Sequence, residues 1–183
     1  MCGIAGFLLN KDLPNDLSKK NILSMIRMLS HRGPDNEEIW NNQENKIFFG
    51  HRRLSILDLS NSGNQPMHSS TGRFTITFNG EIYNHLDIRN LIKNESKTIS
   101  WIGTSDTETL LAAIEVWGIE ITLQKCIGMF SLALWDNKNN KLTLARDRMG
   151  EKPLYYGWVE NNFVFASELK ALVKYPNFKK KNL

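Results

Sequence analysis

Short apolar runs that alternate with polar residues and are separated by tight turns limit the fold of this chain more than any other feature. Alternating apolar residues occupy 130–134, a polar turn follows at 136–140, and the alternation resumes at 142–144. A second pair of runs, 154–159 and 163–166, flanks an Asn-Asn turn. Alternation with a period of two is typical of strands, and a short polar connection is typical of a hairpin. We therefore expect antiparallel sheets.

Further strands are predicted in the first half of the chain. The apolar run Ile4–Leu9 predicts a central strand, and 47–49 predicts another. Segment 74–78 alternates apolar and polar residues and predicts a half-buried strand that ends at the turn signal Asn79-Gly80. Segment 60–72 is rich in Ser, Asn and Gly and predicts a loop. Strands outnumber helices, so the expected class is α+β built on antiparallel sheets.

Helices are predicted in three places. Apolar residues at helical spacing occupy 22–29. Ser105 and Glu108 have the spacing of a capping box, and the apolar side of the helix that follows ends near Gly118. Ser167 is predicted to cap a short last helix.

Composition narrows the class of protein. The chain has 183 residues, 41% hydrophobic and 23% charged, which predicts a single globular domain over 1–183. The net charge is +4, part of it in the terminal run 179–181, and a short basic end is typical of a solvated end or a linker. The chain has no nucleic-acid-binding motif and no apolar stretch long enough to span a membrane. We therefore expect neither nucleic acid nor a membrane as a partner.

The chain has two cysteines, Cys2 and Cys126. Two are too few for a disulfide framework and predict reduced thiols in the cytoplasm, with Cys126 in the core. Cys2 becomes the N-terminal residue if Met1 is removed. Its own α-amine, with a pKa of about 7.7–8.0, can then accept the thiol proton. The alternative, which position alone favours, is a small residue that merely begins a strand.

Seven motifs resemble those of the class II glutamine amidotransferases, which are N-terminal nucleophile hydrolases. In chain order they are Met1-Cys2-Gly3-Ile4-Ala5-Gly6, His31-Arg32-Gly33-Pro34-Asp35, His51-Arg52-Arg53-Leu54-Ser55-Ile56, Asn79-Gly80-Glu81-Ile82-Tyr83-Asn84, Ser105-Asp106-Thr107-Glu108, Gly128-Met129-Phe130, and Ala145-Arg146-Asp147-Arg148-Met149-Gly150 continuing through Pro153-Leu154-Tyr155-Tyr156. The second and fourth motifs are similar to the N-terminal half of glutamine-dependent asparagine synthetases. The resemblance implies a four-layer αββα sandwich that hydrolyses glutamine to glutamate and ammonia.

The resemblance also implies the catalytic residues. Cys2 would be the nucleophile, and the Asn79 side-chain amide together with the Gly80 N–H would form the oxyanion hole. Donors already in place around a tetrahedral intermediate lower the barrier by a few kcal/mol. The alternative for Asn79-Gly80 is a plain hairpin turn.

Substrate-binding residues follow from the same resemblance. Arg53 would bind the α-carboxylate of glutamine, since a guanidinium matches a carboxylate as a planar fork. Glu81 and Asp106 would bind the α-ammonium. The segment after Arg53 would line the same pocket: Leu54, Ser55, Ile56 and Leu57. The alternatives are a surface arginine, a solvated glutamate, and an aspartate that favours the N-terminus of its helix.

The residues also leave two alternative functions open. Pairing of Cys2 with His31 or His51 would give a papain-like thiol hydrolase, although no protease signature surrounds Cys2. A non-catalytic glutamine-binding module would keep the substrate residues but leave the thiol unexposed. Four scattered histidines have no metal-ligand spacing, so no metal is expected.

The expected partners are L-glutamine and a C-terminal synthetase domain. Asparagine synthetases continue into an ATP-binding domain, and no glycine-rich pyrophosphate loop occurs in these residues. We therefore expect no cofactor for this domain, with ATP and magnesium needed only by the missing synthetase domain. The acceptor of the ammonia and the formation of a homodimer are left open.

Overall fold

Antiparallel strands dominate the structure. The computed structural model describes residues 1–95 and 99–178, so the basic run 179–181 lies outside the described residues. The strands are β1 (Gly3–Leu8), β2 (Asn36–Asn42), β3 (Ile47–Arg53), β4 (Met67–His68), β5 (Phe74–Ile82), β6 (Gly128–Asp136), β7 (Lys141–Arg146), β8 (Tyr155–Val159) and β9 (Asn162–Ala166). The helices are α1 (Asn15–Arg27), α2 (His85–Glu95), α3 (Asp106–Lys125) and α4 (Leu169–Leu172), with a 3₁₀ turn at Asn61–Gly63.

The strands form two sheets. The first has the order β2-β3-β1-β9-β8 and the second the order β4-β5-β6-β7. Neighbouring strands are antiparallel throughout. Strand β1 lies at the centre of its sheet, and the two predicted hairpins are β6–β7 and β8–β9, so these predictions are confirmed.

The two sheets pack face to face between two layers of helices. Phe49 and Phe165 of the first sheet and Trp135 of the second meet in the middle layer. Helices α1 and α4 pack on the outer face of the first sheet, and α2 and α3 pack on the outer face of the second. The expected four-layer αββα sandwich of the α+β class is therefore confirmed.

Strand β5 corrects two predictions. It continues through Asn79-Gly80, which pair with Ser131 and Phe130 of β6, so the predicted turn is absent there. It is also buried on both faces: Phe78 packs towards the helices, whereas Thr77 faces the first sheet and is fully buried. The sequence was misleading because a strand between two packed layers has no solvent-facing side.

The predicted N-cap of α3 is confirmed, whereas the predicted end of that helix and the predicted cap of α4 are wrong. Ser105 Oγ accepts the Glu108 N–H at 3.2 Å as predicted. The predicted helix end near Gly118 is instead a kink with a φ of 78°, after which helix α3 continues to Lys125. Ser167 does not cap α4. Its Oγ instead accepts the Ile4 N–H at 2.9 Å, because the end of β9 lies beside β1.

Candidate active site

One cavity opens at the end of the sandwich where β1 begins. The chain terminus before β1, the end of β3, strand β5 and the N-terminus of α3 all contribute to its wall. The residues that line it are Met1, Cys2, Arg53, Leu54, Ile56, Leu57, Asp58, Gly63, Gln65, Phe78, Asn79, Gly80, Glu81, Ser105, Asp106, Thr107, Met129 and Lys152. Nine of the ten predicted site residues are among them, the exception being Ser55.

The Cys2 thiol lies against the main chain of Leu54. The Leu54 N–H donates to Sγ at 3.4 Å, and Sγ is 3.7 Å from the Leu54 carbonyl oxygen. Burial raises the pKa of the Cys2 thiol, while the Leu54 N–H, the chain terminus and Arg53 act in the opposite direction. A thiol with a raised pKa stays protonated near neutral pH and needs a base to become a nucleophile.

The backbone at Cys2 is fixed from two sides. Arg32 Nε donates to the Cys2 carbonyl oxygen at 2.9 Å, and Arg32 Nη1 donates to Glu168 at 3.0 Å. The Ser167 hydroxyl accepts the N–H of Ile4, two residues after Cys2 along the chain. These contacts hold the start of β1, so the position of the thiol depends little on the mobility of a chain end.

Asn79 places an unpaired amide in the cavity. The residue is 1% exposed, and within the described residues neither Oδ1 nor Nδ2 has a hydrogen-bond partner. A buried amide without a partner is costly unless a ligand or water satisfies it. The next residue, Gly80, has room for no side chain, because a Cβ there would overlap the Met129 carbonyl oxygen and Phe130. A glycine is therefore needed here for β5 to pack closely on β6.

Arg53 is buried and holds the loop that follows it. Its Nη1 donates to the Ser60 carbonyl at 2.8 Å and to Asn64 Oδ1 at 2.7 Å, and its Nη2 donates to the Asp58 carbonyl. Within the described residues its Nε makes no hydrogen bond. Arg53 is thus not the surface arginine that was one alternative.

Two side chains attach this loop to strand β5 of the second sheet and to the N-terminal part of α3. Asp58 Oδ2 accepts the Thr104 N–H at 3.0 Å, which joins the loop to the segment before α3. Gln65 accepts the Phe78 N–H at 2.7 Å and donates to Thr107 at 3.2 Å. Hydrogen bonds from Ser60 are the largest cause that lowers the pKa of Asp58, to about 2. The loop therefore forms a wall between the two sheets.

Two carboxylate residues, Glu81 and Asp106, line the same cavity as the thiol. Asp106 is buried at the N-terminus of α3, and its Oδ2 accepts the Ile82 N–H at 2.8 Å. Burial raises the pKa of Asp106, with the Ile82 N–H acting against it. Glu81 precedes Ile82 on β5 and is half-buried. Together they give this side of the cavity a negative charge.

Ser55 and the histidines lie apart from the cavity. The Ser55 N–H donates to Asp35 at 2.8 Å, and Ser55 does not line the cavity. His51 Nε2 donates to the Phe78 carbonyl at 3.1 Å, and His31 Nε2 contacts Glu168 at 2.9 Å. Among the described residues neither histidine hydrogen-bonds Cys2, which removes the geometric basis of a papain-like pair.

Several cavity residues were not predicted as site residues. Gln65 lies in the segment 60–72, which was predicted only as a loop, and Asp58 lies just before that segment. Met129 and Lys152 lie within two of the seven motifs, so the motifs could have indicated them. Their place in the cavity depends on how β6 and the turn after β7 pack against the rest of the fold. Within residues 1–95 and 99–178, His, Cys, Asp and Glu side chains form no cluster of three suited to a metal ion. In the same residues no helix has the length and apolar character needed to cross a membrane.

Comparisons with known proteins agree with this geometry. A family model described as a glutamine amidotransferase domain matches residues 1–182. Asparagine synthetase 3 (glutamine-hydrolyzing) of Bacillus subtilis is 38% identical over 182 residues, which cover 98% of this chain and 28% of that protein. Asparagine synthetase 2 of the same organism is 39% identical over 180 residues, or 97% of this chain and 23% of that protein. The chain thus spans about a quarter of the length of these relatives.

Solved structures show the same fold. A glutamine phosphoribosylpyrophosphate amidotransferase from B. subtilis, complexed with ADP and GMP, superposes with a TM-score of 0.73 at 19% identity, over 94% of this chain and 43% of that one. The fold is that of the amidotransferases of the N-terminal nucleophile class. With the family match over almost its whole length, the chain belongs to the glutamine amidotransferase domain family. The resemblance found in the sequence is therefore confirmed.

Proposed function

We propose that this chain, as one domain over 1–183, hydrolyses L-glutamine to glutamate and ammonia, with Cys2 as nucleophile after removal of Met1. The observation that supports this most is the Asn79 amide, buried and unpaired in the cavity that holds the Cys2 thiol. A catalytic donor is expected to lack a partner until the transition state provides one.

The first half of the reaction forms a thioester. The α-amine of Cys2 accepts the thiol proton, and the thiolate attacks the side-chain amide carbon of glutamine. A C–S bond forms while the C=O electron pair moves to oxygen, where the Asn79 amide and the Gly80 N–H donate to it. The protonated amine then gives its proton to the leaving nitrogen, the C–N bond breaks, and ammonia departs.

The second half regenerates the enzyme. Water adds to the thioester carbon as the amine again accepts a proton, and the same donors stabilise the second oxyanion. The C–S bond breaks and the sulfur takes back the proton. The net reaction consumes one glutamine and one water and releases glutamate and ammonia, with the thiol unchanged.

The walls of the cavity match the two charges of the amino acid. We propose that the guanidinium of Arg53 binds the α-carboxylate through Nε and the remaining Nη2 hydrogen, which the loop leaves unused. Glu81 and Asp106 bind the α-ammonium, and the raised pKa of Asp106 falls when the ammonium arrives. Backbone groups of 54–57 complete the pocket.

We further propose that the ammonia serves a synthetase domain in the same polypeptide. The two synthetase relatives are about four times longer than this chain, and their names describe asparagine formation with glutamine hydrolysis. ATP and magnesium are then requirements of that domain and not of this one. Because Cys2 has to remain a free thiol, we propose the cytoplasm as its compartment. Glutamine and the synthetase domain are the partners we propose, without nucleic acid or a membrane, and a homodimer stays a prediction.

The test uses purified chain whose intact mass shows that Met1 is absent. It is incubated with glutamine, with and without aspartate, ATP and magnesium, and glutamate, ammonia, AMP and asparagine are measured. We expect glutamate and ammonia in equal amounts, independent of ATP, and no AMP. Cys2→Ala should abolish this activity, whereas the matched Cys126→Ala, at a buried core cysteine, should retain it if folded.

Two results would contradict the proposal. Activity in folded Cys2→Ala would exclude Cys2 as nucleophile. Binding of glutamine without turnover by Met1-free chain would identify the non-catalytic binding module instead.

A further inference from the structure

Lys152 is a buried lysine that the proposed reaction does not use. It is 4% exposed, it lines the cavity that contains Cys2, and its Nζ lies 3.2 Å from Met1 Sδ. Within the described residues no carboxylate lies at ion-pair distance from it. A buried ammonium without a counter-charge is costly, so its retention at this place needs a reason.

A rigid turn fixes the backbone of Lys152. The Asp147 carboxylate accepts the N–H groups of Phe130, Glu151 and Lys152 at 3.1, 2.8 and 3.0 Å. Arg146 Nε donates to the Lys152 carbonyl at 2.6 Å. The turn therefore fixes the main chain from which the buried side chain extends to Met1.

The chain terminus has more positive than negative side chains near it. Arg32 and Lys152 are the nearby cations, but Arg32 is paired with Glu168 at 3.0 Å. Asp35 carries the opposite charge near the terminus, and Arg53, Glu81 and Asp106 line the cavity farther along its walls. Burial lowers the pKa of the Met1 α-amine, which is the terminus in this structure, and Arg32 and Lys152 lower it further, while Cys2 and Asp35 raise it.

We propose that Lys152 is a positioning residue for glutamine hydrolysis: its unpaired ammonium disfavours protonation of the Cys2 α-amine and so keeps that amine available as a base. The inference rests on the proposed function, because Cys2 has an α-amine only after Met1 is removed. Removal of Met1 also takes away the thioether that contacts Nζ, while Cys2 and Lys152 line the same cavity. Two neighbouring cations repel each other, so a cation at Lys152 favours the neutral form of the amine.

The test compares pH profiles of kcat/KM from pH 5.5 to 9 for four Met1-free proteins. Lys152→Met removes the charge at similar volume, Lys152→Arg keeps a cation, and Lys141→Met removes an exposed lysine on β7. We expect the acidic limb of Lys152→Met to move up by roughly one pH unit, so that activity on that limb falls about tenfold. Activity should return to near the wild-type value at alkaline pH. Lys152→Arg and Lys141→Met should have the wild-type limb.

The outcomes separate this inference from the proposed function. An unmoved limb, or an equal loss at every pH, in folded Lys152→Met would overturn the role of Lys152 alone. An inactive wild-type chain would overturn the proposed function, and the amine is then titrated directly through its rate of carbamoylation by cyanate, followed by mass spectrometry. In that experiment a higher midpoint in Lys152→Met supports the inference and an equal midpoint overturns it. If Lys152→Met does not fold, Lys152→Gln replaces it in both measurements.

Discussion

At the scale of single residues, the planar guanidinium of Arg53 holds a loop and is also the group that we propose binds the substrate. Its Nη atoms hold the loop after β3 through Ser60, Asn64 and Asp58, and the unused edge of the guanidinium is what we assign to the substrate. A lysine would keep the charge but not the fork, since an ammonium is a point charge with a different donor geometry. The residue therefore contributes to the wall of the cavity and, under the proposed function, also to binding.

Arg53→Ala should lower kcat/KM for glutamine by roughly 10² or more, because it leaves the α-carboxylate unpaired inside the pocket. Arg53→Lys should recover only part of this loss. Steady-state kinetics with thermal unfolding of each variant is the measurement, and Arg27→Ala, whose side chain is 67% exposed, is the control. A change of less than about threefold in folded Arg53→Ala would place the role of Arg53 in the loop only.

The predicted site residues came from ordered motifs, and the cavity contains nearly all of them. The sequence did not reveal residues that reach the cavity only through contacts between distant parts of the chain. Gln65 reaches the Phe78 N–H across two elements, and Lys152 reaches the chain terminus across 151 positions. No local pattern marks such contacts, because the side chains concerned are ordinary polar residues in turns.

At the scale of elements, local signals predicted the hairpins and failed where long-range pairing decides the structure. Asn-Gly favours a turn, yet nine residues of β5 pair with β6 and extend the strand through it. Strand β2 has only two apolar residues, Ile39 and Trp40, and it exists because β3 offers an edge to pair with. Helix α2 was also not predicted, although Ile88 and Ile92 have helical spacing and are buried.

The loop after β3 gives a prediction at this scale. Asp58→Asn should raise KM for glutamine about tenfold with a smaller change in kcat, because the amide cannot accept from both Ser60 and Thr104 and the loop wall loosens. Asp12→Asn is the matched control, since its side chain is 87% exposed. Steady-state kinetics at pH 7.5 is the measurement. An unchanged KM would mean that the contact with Thr104 does not hold the pocket.

At the scale of the whole molecule, the active site depends on how the two sheets are held together. Cys2 and Arg53 come from the first sheet, and Asn79, Gly80 and Glu81 come from the second. Apolar contacts between the sheets are not directional, so hydrogen bonds across the interface define their relative position. His51 makes such a bond from β3 to the Phe78 carbonyl on β5, one residue before Asn79.

The same histidine should make the fold sensitive to mild acid. Burial lowers the pKa of His51 from 6.5 to about 4, so the folded state favours the neutral ring. Its contribution is fully present above the unfolded pKa and is lost as the pH falls towards the folded one. Between pH 7.5 and 5 the free energy of unfolding should fall by about 2 kcal/mol from this residue.

Urea unfolding at the two pH values measures this loss. His51→Gln keeps a donor for the Phe78 carbonyl but does not titrate, so most of the loss should disappear. His68→Gln should retain most of it, because burial lowers the pKa of His68 less than that of His51. Asp58 and Asp136 contribute mainly below this window, because their pKa values of about 2 lie under an ordinary value of 3.8. Equal losses in His51→Gln and the wild type would show that the bond across the sheets does not set the acid sensitivity. If the loss follows His51 as expected, glutamine hydrolysis at acid pH should decline together with folding stability, since protonation of this ring disturbs the strand that carries Asn79.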